Sequence, residues 1–335
     1  MNKFMINNQK ISSCPSIIAR NVPLQDKNWF CTGGKAQYYC SPRAVSEFQQ
    51  ALSWANTQGL PIHVLGQGAN TLISDEGFDG LIIQPMLNDI QVIGQGSDHC
   101  FVTVGAGVSI HNLILWCLEH AIVGLEEFSG IPGTVGGSVY NNLHYFEYCL
   151  ADFLTCAQVI DRITGTITIV DKEWLSLSYD NSRLHEKTQF LTSATFKLRS
   201  VAALEASYAK GRRVEIIRHR AKRYPMTNTC GSFFRNFHEH EVQTPINGKK
   251  LTFVAYYLDN VGVKGNLAIG NATVSHQHAN MIVTLQNATS SDVIAVARAM
   301  QEKVFKAFGL LPQPECELVG FKSYPLLTRQ EAQKF

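Results

Sequence analysis

Leu60-Pro61-Ile62-His63-Val64-Leu65-Gly66-Gln67-Gly68-Ala69-Asn70-Thr71-Leu72-Ile73-Ser74-Asp75-Glu76-Gly77 is the stretch that decides the fold. The apolar run Leu60 to Leu65 predicts a buried strand that leads straight into Gly66–Asn70. In a dinucleotide-binding βαβ unit a helix starts at this point and offers its N-terminus to a pyrophosphate. Thr71-Leu72-Ile73 is too short for that helix, and Ser74-Asp75-Glu76-Gly77 reads as a turn. The sequence therefore argues against a doubly wound fold. A loop of this kind can still hold an anion, because successive N–H groups without an intervening Cβ form a concave nest. A plain glycine turn is the competing reading, since short glycine patterns are weak signals.

Working outward, Gly130-Ile131-Pro132-Gly133-Thr134-Val135-Gly136-Gly137 is the stronger segment, with four glycines in eight residues. Small residues at that density let backbone approach a bulky ligand; tight helix–sheet packing is the alternative. Two such loops in one lobe point to a dinucleotide. Around them, Ser41-Pro42 predicts a helix start as N-cap and first-turn proline, with an apolar stripe through Val45, Phe48, Leu52 and Ala55 closed by Gly59. Leu81–Ile83 and Phe101–Val104 read as strands. Ser109 is expected to cap a helix with the stripe Ile110, Leu113, Ile114, Cys117, Leu118 and Ala121, ended by Gly124. Leu154 to Val170 and Phe190 to Leu198 read as β, with a turn at Thr164-Gly165. A long helix is predicted from about Ser291 to Phe308, stopped by Gly309, and Pro312 and Pro314 hold the tail out of helix.

The 335 residues, 45% hydrophobic and 17% charged, predict a folded protein of more than one core. A net charge of +2 gives no general reason to expect nucleic acid or an anionic membrane as partner. No run approaches a membrane span, and Met1 to Cys14 lacks the apolar core of a signal peptide. Nine scattered cysteines without a Cys-x-x-Cys pair fit reduced thiols, hence a cytoplasmic location. Seven of the 29 basic residues fall between Lys210 and Arg223, on an expected helix. That change of composition sets a domain boundary near residue 203.

Beyond it, Cys230-Gly231-Ser232-Phe233-Phe234-Arg235-Asn236 places a hydroxyl between a glycine and two aromatics. Such a serine is a candidate proton donor, or else is bonded to nearby backbone. The arginines before it suit phosphate oxygens. His238-x-His240 and His276-x-His278, the latter expected on a strand, lack a third ligand at a familiar spacing, so no metal is expected. Glu315, between Pro314 and an apolar run, is a stiffly held carboxylate or a surface acid of the tail.

With these residues in view the chain resembles the UDP-N-acetylenolpyruvoylglucosamine reductase (UDP-N-acetylmuramate dehydrogenase) family over nearly its whole length, from Asn21-Val22-Pro23-Leu24 and Gly33-Gly34 to Gly320. Leu65–Ile73 looks like the first FAD loop, and Ser129–Tyr140 is similar to the second almost residue for residue. Gly231–Asn236, Val274-Ser275-x-x-His278-Ala279-Asn280 and Pro314-Glu315 resemble later motifs. The resemblance implies an α+β, two-lobed FAD-binding fold of the vanillyl-alcohol-oxidase/PCMH type plus a smaller α+β substrate lobe. Its implied layout is an FAD lobe over 1–203, split near 88, a substrate lobe over 204–309, and a tail over 310–335 that returns to the active site. FAD, bound noncovalently, would be contacted by Gly66, Gln67, Gly68, Ala69, Asn70, Ile131, Gly133, Thr134, Gly136 and Gly137. NADPH would reduce it, and a hydride would pass to the enolpyruvyl double bond of a UDP-sugar, in peptidoglycan precursor synthesis. Ser232 would protonate the adjacent carbon with Glu315 assisting. Tyr208, Arg220, Arg223, Arg235 and Asn236 would contact substrate, and the protein is expected to be monomeric.

Two departures qualify the resemblance. Where the family has Tyr-Arg-x-Ser this chain has Tyr179-Asp180-Asn181-Ser182, so an aspartate stands where a cation would stabilise the enolate. Either Arg183 takes over that charge or the chemistry is altered. After the second FAD loop, Asn142–Glu147 replaces a glycine-containing segment and should reshape the wall near the flavin ring. The alternatives are a flavin oxidoreductase with another substrate and a non-catalytic FAD-binding relative.

Overall fold

The computed structural model describes residues 14–242 and 249–334. The N-terminal stretch read above for a signal peptide lies, apart from Cys14, outside the described residues. Up to residue 83 the chain forms β1 (Ala19–Pro23), β2 (Lys35–Cys40), α1 (Val45–Thr57), β3 (Ile62–Val64), β4 (Thr71–Ile73) and β5 (Phe78–Ile83). Four of these strands make a sheet in the order β1-β2-β5-β3, with β5 parallel to both of its neighbours. Helix α1 covers it, burying Phe48, Ala51, Leu52, Trp54 and Ala55 at helical spacing. Each large apolar side chain so buried contributes about 1.5–3 kcal/mol. The expected start of α1 is corrected: it begins at Val45, after an Ala44 N-cap without a side-chain bond. The Ser41 hydroxyl bonds instead to the Tyr39 hydroxyl, and the Pro42 carbonyl accepts from the Met86 N–H. Both residues are still tied to the sheet.

The next elements are β6 (Ile90–Gln95), β7 (His99–Gly105), α2 (Ile110–Glu119), β8 (Ile122–Val123), α3 (Val135–Tyr140), β9 (His144–Tyr145) and β10 (Tyr148–Cys149). They are followed by β11 (Leu154–Asp161), β12 (Ile167–Asp171), α4 (Lys172–Leu175), β13 (Gln189–Ser200) and α5 (Ala203–Arg223). An antiparallel sheet runs β12-β11-β13-β7-β6, with β8 also paired to β13. Strand β13 is buried on both faces, because α2 and α3 pack on one side and the first sheet's helix lies on the other. Phe190 stacks on Phe48 there, with centroids 6.1 Å apart. Ser109 caps α2 as expected, its hydroxyl accepting from the Asn112 N–H. The expected end at Gly124 is corrected. The helix closes at Glu119, Ala121 takes a left-handed conformation (φ 56°), and Ile122-Val123 leave to pair with β13. Helix α5 begins at the composition change but packs back on this second body. Its Ala209 joins that core, and Arg212 forks onto Glu127.

The third body holds α6 (Val254–Asn260), β14 (Ala268–Ile269), β15 (Ala272–Val274), β16 (Ile282–Thr284), α7 (Ser290–Phe308), β17 (Glu317–Val319) and α8 (Arg329–Ala332). Helix α7 lays Val293, Val296, Ala297, Met300 and Val304 against the β14-β15-β16 sheet. A Thr289–Asp292 capping box starts it and left-handed Gly309 (φ 67°) stops it. The His276-x-His278 pair lies just past β15, not on a strand, since Ser275 already bonds back to Met281 across a turn. After α7 the tail returns and β17 pairs in parallel with β4, so Glu317, Leu318 and Val319 face Thr71, Leu72 and Ile73. Leu72 thereby joins the third core, together with Phe30 and Phe233.

Candidate active site

The three bodies surround one cavity of about 1260 Å³. That exceeds the roughly 300–1,000 Å³ of a pocket for one drug-sized ligand. Its wall includes the loop between β3 and β4, the segment leading into α3, the Ser232 loop and the returning tail.

The two glycine loops touch each other. Gln67 Oε1 accepts from the Gly133 N–H at 3.1 Å, and a Cβ on Gly66 would lie 2.7 Å from Thr134 Oγ1. The glycines serve different ends. Gly68 (φ 63°) sits where a Cβ would meet Lys27 O at 2.5 Å and Asn28 Cα at 2.6 Å, so it is required by packing. Gly136 is seated against Ala106, to whose carbonyl its N–H bonds. Gly133 (φ 136°) and Gly137 face open space, where a Cβ would meet only Ser138 Oγ at 3.9 Å or Thr134 Oγ1 at 3.7 Å. Among the described residues the backbone N–H groups of residues 66–70 meet no protein acceptor. Asn70 Oδ1, Tyr145 OH, Gln189 Oε1 and Arg220 Nε are buried along the same wall without partners. Unspent donors, unspent acceptors and room left by missing Cβ atoms fit a ligand with a polar linker and an extended ring system.

The Ser232 loop is held at both ends. Asn280 brackets it, its carbonyl accepting from Phe233 N–H and its side chain exchanging bonds with both backbone groups of Phe234. Gly231 takes φ 81°, which turns the chain so that Ser232 lines the cavity. Among the described residues nothing hydrogen-bonds the Ser232 hydroxyl, so it is not the backbone-satisfied serine of the plainer reading. Glu315 comes from the tail, with its N–H donating to Phe233 O at 2.9 Å and its carbonyl accepting from Asn70 Nδ2 at 3.2 Å. First glycine loop, tail and serine loop are thus joined by hydrogen bonds, with Glu317 N–H also donating to Asn70 O and Arg235 N–H to Gln313 O.

Of the cavity's other expected residues, Ala69, Ile131, Thr134, Arg220 and Asn236 line it. Arg220 is the cation of that wall, half-buried, with its guanidinium over Tyr145 (4.8 Å) and Tyr224 (5.1 Å). Burial lowers its pKa against the opposing pull of those phenols. Arg183, Tyr208, Arg223 and Arg235, also expected at the site, lie outside the lining of the cavity. Arg183 opens a 3-10 turn whose geometry sends its guanidinium over Trp174, 4.9 Å from the ring centroid. Tyr208 is 71% exposed and lies about 18 Å along α5 from Arg220 at 1.5 Å per residue. Arg223 stacks over Phe146 and Tyr224 at the rim, and Arg235 is forked onto Glu241 at 2.8 and 3.0 Å.

The Asn142–Glu147 segment, expected to reshape the wall, does line it, whereas Lys187 and Glu317 escaped the sequence reading. The β9–β10 hairpin carries Tyr145 under Arg220 and His144 beside Tyr179. Asn142, at φ 48°, anchors it by accepting from Ala151 N–H and donating to Ser178 O. At the floor Lys187 donates to Glu317 at 2.5 Å, with His63 3.9 Å from the same oxygen. Burial works against the Glu317 carboxylate, but His63 and Lys187 together outweigh it and hold its pKa low. No local motif announces this pair, since its members are brought together only by the β17–β4 pairing. Asp180 and Glu315 show the opposite behaviour. Burial pushes Asp180 up to about 7 against the pull of Arg235, and burial first and the charge of Asp180 second push Glu315 up to about 8. Among the described residues no group of three or more His, Cys, Asp or Glu side chains is placed to hold a metal ion. Among them, too, no helix is long and apolar enough to cross a membrane.

Residues 36–171 match the family described as FAD binding domain, and residues 222–319 match the C-terminal domain of UDP-N-acetylenolpyruvoylglucosamine reductase. The chain is 32% identical over 325 residues to the UDP-N-acetylenolpyruvoylglucosamine reductase of Acaryochloris marina, covering 94% of this chain and 99% of that one. It is 33% identical over 307 residues to the Synechocystis enzyme of the same name, covering 91% and 92%. Among solved structures, the Thermus caldophilus UDP-N-acetylenolpyruvylglucosamine reductase superposes with a TM-score of 0.72 at 27% identity, covering 90% of this chain and 98% of that one.

Proposed function

Because this chain belongs to the UDP-N-acetylenolpyruvoylglucosamine reductase family, we propose that it is an FAD-dependent reductase of UDP-N-acetylglucosamine enolpyruvate, forming UDP-N-acetylmuramate for peptidoglycan synthesis, with NADPH as reductant. The observation that carries this reading is Ser232, an unbonded hydroxyl in the same cavity as two glycine loops with unspent N–H groups. Residues 66–70 together with Ile131, Gly133, Thr134 and Gly137 would hold FAD, and FAD when bound supplies the hydride. Ser232 Oγ donates a proton to the carbon next to the one that receives the hydride. Glu315, raised in pKa and therefore protonated near neutrality, supports that donation from the tail. Arg220 and Asn236 meet the UDP-sugar from the wall, and the Tyr145 and Tyr224 rings that flank Arg220 restrict its motion and exclude water around it.

Replacing Ser232 with Ala should leave the yellow flavin bound and reducible by NADPH while turnover with the enolpyruvyl sugar falls about 10²–10⁴-fold. Undiminished turnover in that variant rejects the role given to Ser232. A second reading, a flavin oxidoreductase on the same scaffold with another substrate, is favoured by Asp180 at the cavity wall where a cation would be expected. Stopped-flow reoxidation of the reduced flavin separates the two: the enolpyruvyl sugar outpaces molecular oxygen only under the first.

A further inference from the structure

Asp180 and Glu315 both lie on segments tied to the Ser232 loop. Asp180 sits at the apex of a tight turn closed by the Ser178–Asn181 bridge, with φ 50°, and the turn is tied to the serine loop by the bond from Asn236 Nδ2 to Tyr179 OH at 3.2 Å. Glu315 is tied to the same loop through Phe233 O. Both side chains line the cavity, and among the described residues neither has a hydrogen bond or an ion pair of its own. Of the cations, Lys187 is paired with Glu317 and Arg235 with Glu241, Arg183 is turned over Trp174, and Arg220 lies over two phenols and not on either carboxyl group. Asp180 has no ion pair among the described residues and lines its recess beside a second unpaired carboxyl group, so its ionisation is costly.

We propose that Asp180 keeps its proton in this recess, and that protonated Asp180 donates the hydrogen bond that recognises the carboxylate of the enolpyruvyl group. A neutral acid then does here what a cation would do, and this inference rests on the substrate reading given above. The surroundings support it. Asp180 acts on Glu315 from the tail, on Tyr140 at the end of α3 and on Tyr179 of its own turn, and Arg235 acts on Asp180 from the serine loop. Burial keeps both phenols neutral and pushes down His144, which leans on Tyr179. Arg235 alone favours the Asp180 anion, and its charge is already shared with Glu241. An ionised Asp180 would repel the substrate carboxylate, whereas a protonated one binds it. Binding and proton retention are therefore linked.

The test is a titration of the FAD-loaded protein with UDP-N-acetylglucosamine enolpyruvate in the absence of NADPH, followed by the flavin absorbance band across pH. Affinity of the native chain should fall by up to about tenfold per pH unit once pH rises above neutrality, the limit for one linked proton. UDP-N-acetylglucosamine, which lacks the carboxylate, should bind without that slope and also reports that variants are folded. Asp180→Asn, a donor that does not titrate, should bind the enolpyruvyl sugar at neutral pH and lose the slope. Asp180→Ala should weaken the enolpyruvyl sugar at least tenfold and leave UDP-N-acetylglucosamine unchanged. A slope that persists in Asp180→Asn, or one shared by both ligands, overturns the proposal alone. Failure of the enolpyruvyl sugar to bind the native chain at any pH overturns the substrate reading and this proposal with it.

Discussion

At the scale of the residue, glycines that look alike in a motif have unlike tasks. Gly68 and Gly137 both fall in the loops read as cofactor contacts, yet a Cβ on Gly68 would press into backbone while one on Gly137 would enter the cavity. Gly68→Ala should therefore lower stability by about 2–4 kcal/mol, from left-handed strain plus overpacking. Gly137→Ala should melt within a degree or two of the parent but hold FAD less tightly. Thermal melts paired with flavin titration check both; equal loss of stability in the two variants would refute the division. The motif marked these positions, but which glycine serves packing depended on Lys27 and Asn28, some 40 residues away. Arg183 is the converse case. Its proximity in sequence to Asp180 made it a candidate cation, and a single 3-10 turn sent it to Trp174 instead.

At the scale of the element, the helices were legible because their apolar stripes and stop signals are local. Ser109, the α7 stripe and Gly309 stand where the sequence puts them, and the misses are ends, where a residue can bond either to the helix or to the sheet, as Ser41 does. Strands two or three residues long, such as β4, β9 and β17, carry too little periodicity to read; their pairing partners define them. The Lys187–Glu317 pair depends on such a strand. Lys187→Ala leaves Glu317 in a half-buried site without its ammonium partner and should cost about 1–2 kcal/mol, less than the 3–5 of a fully buried pair because the Lys187 side chain is 44% exposed. Since the folded pKa of Glu317 is depressed, its contribution is present above the usual carboxylate range and lost as pH falls through the lower folded value. The stability gap between parent and variant, measured by denaturant unfolding, should accordingly narrow in acid. A gap that widens in acid would contradict this assignment.

At the scale of the whole molecule, the tail closes the fold and completes the site at once. It contributes β17 to β4, Cys316 and Leu326 to the third core and Glu315 to the cavity. A chain ending at Gln313 should melt several degrees lower and lose transfer to the enolpyruvyl sugar even where some flavin remains bound; turnover by the shortened chain at the parent rate would refute it. What the sequence alone determined is what short-range chemistry controls. The absence of a helix after Asn70, the spacing of the two glycine loops, the helical stripes and the glycine–serine–aromatic motif at Ser232 are each set by a few neighbouring residues. The tertiary structure decided which charges meet. Arg235 is paired with Glu241, Arg183 lies over Trp174 and Lys187 is paired with Glu317, while Asp180 and Glu315 line the cavity without an ion pair among the described residues. Ionisation in a recess depends on every charge within a few ångströms, and those come from segments far apart in the chain.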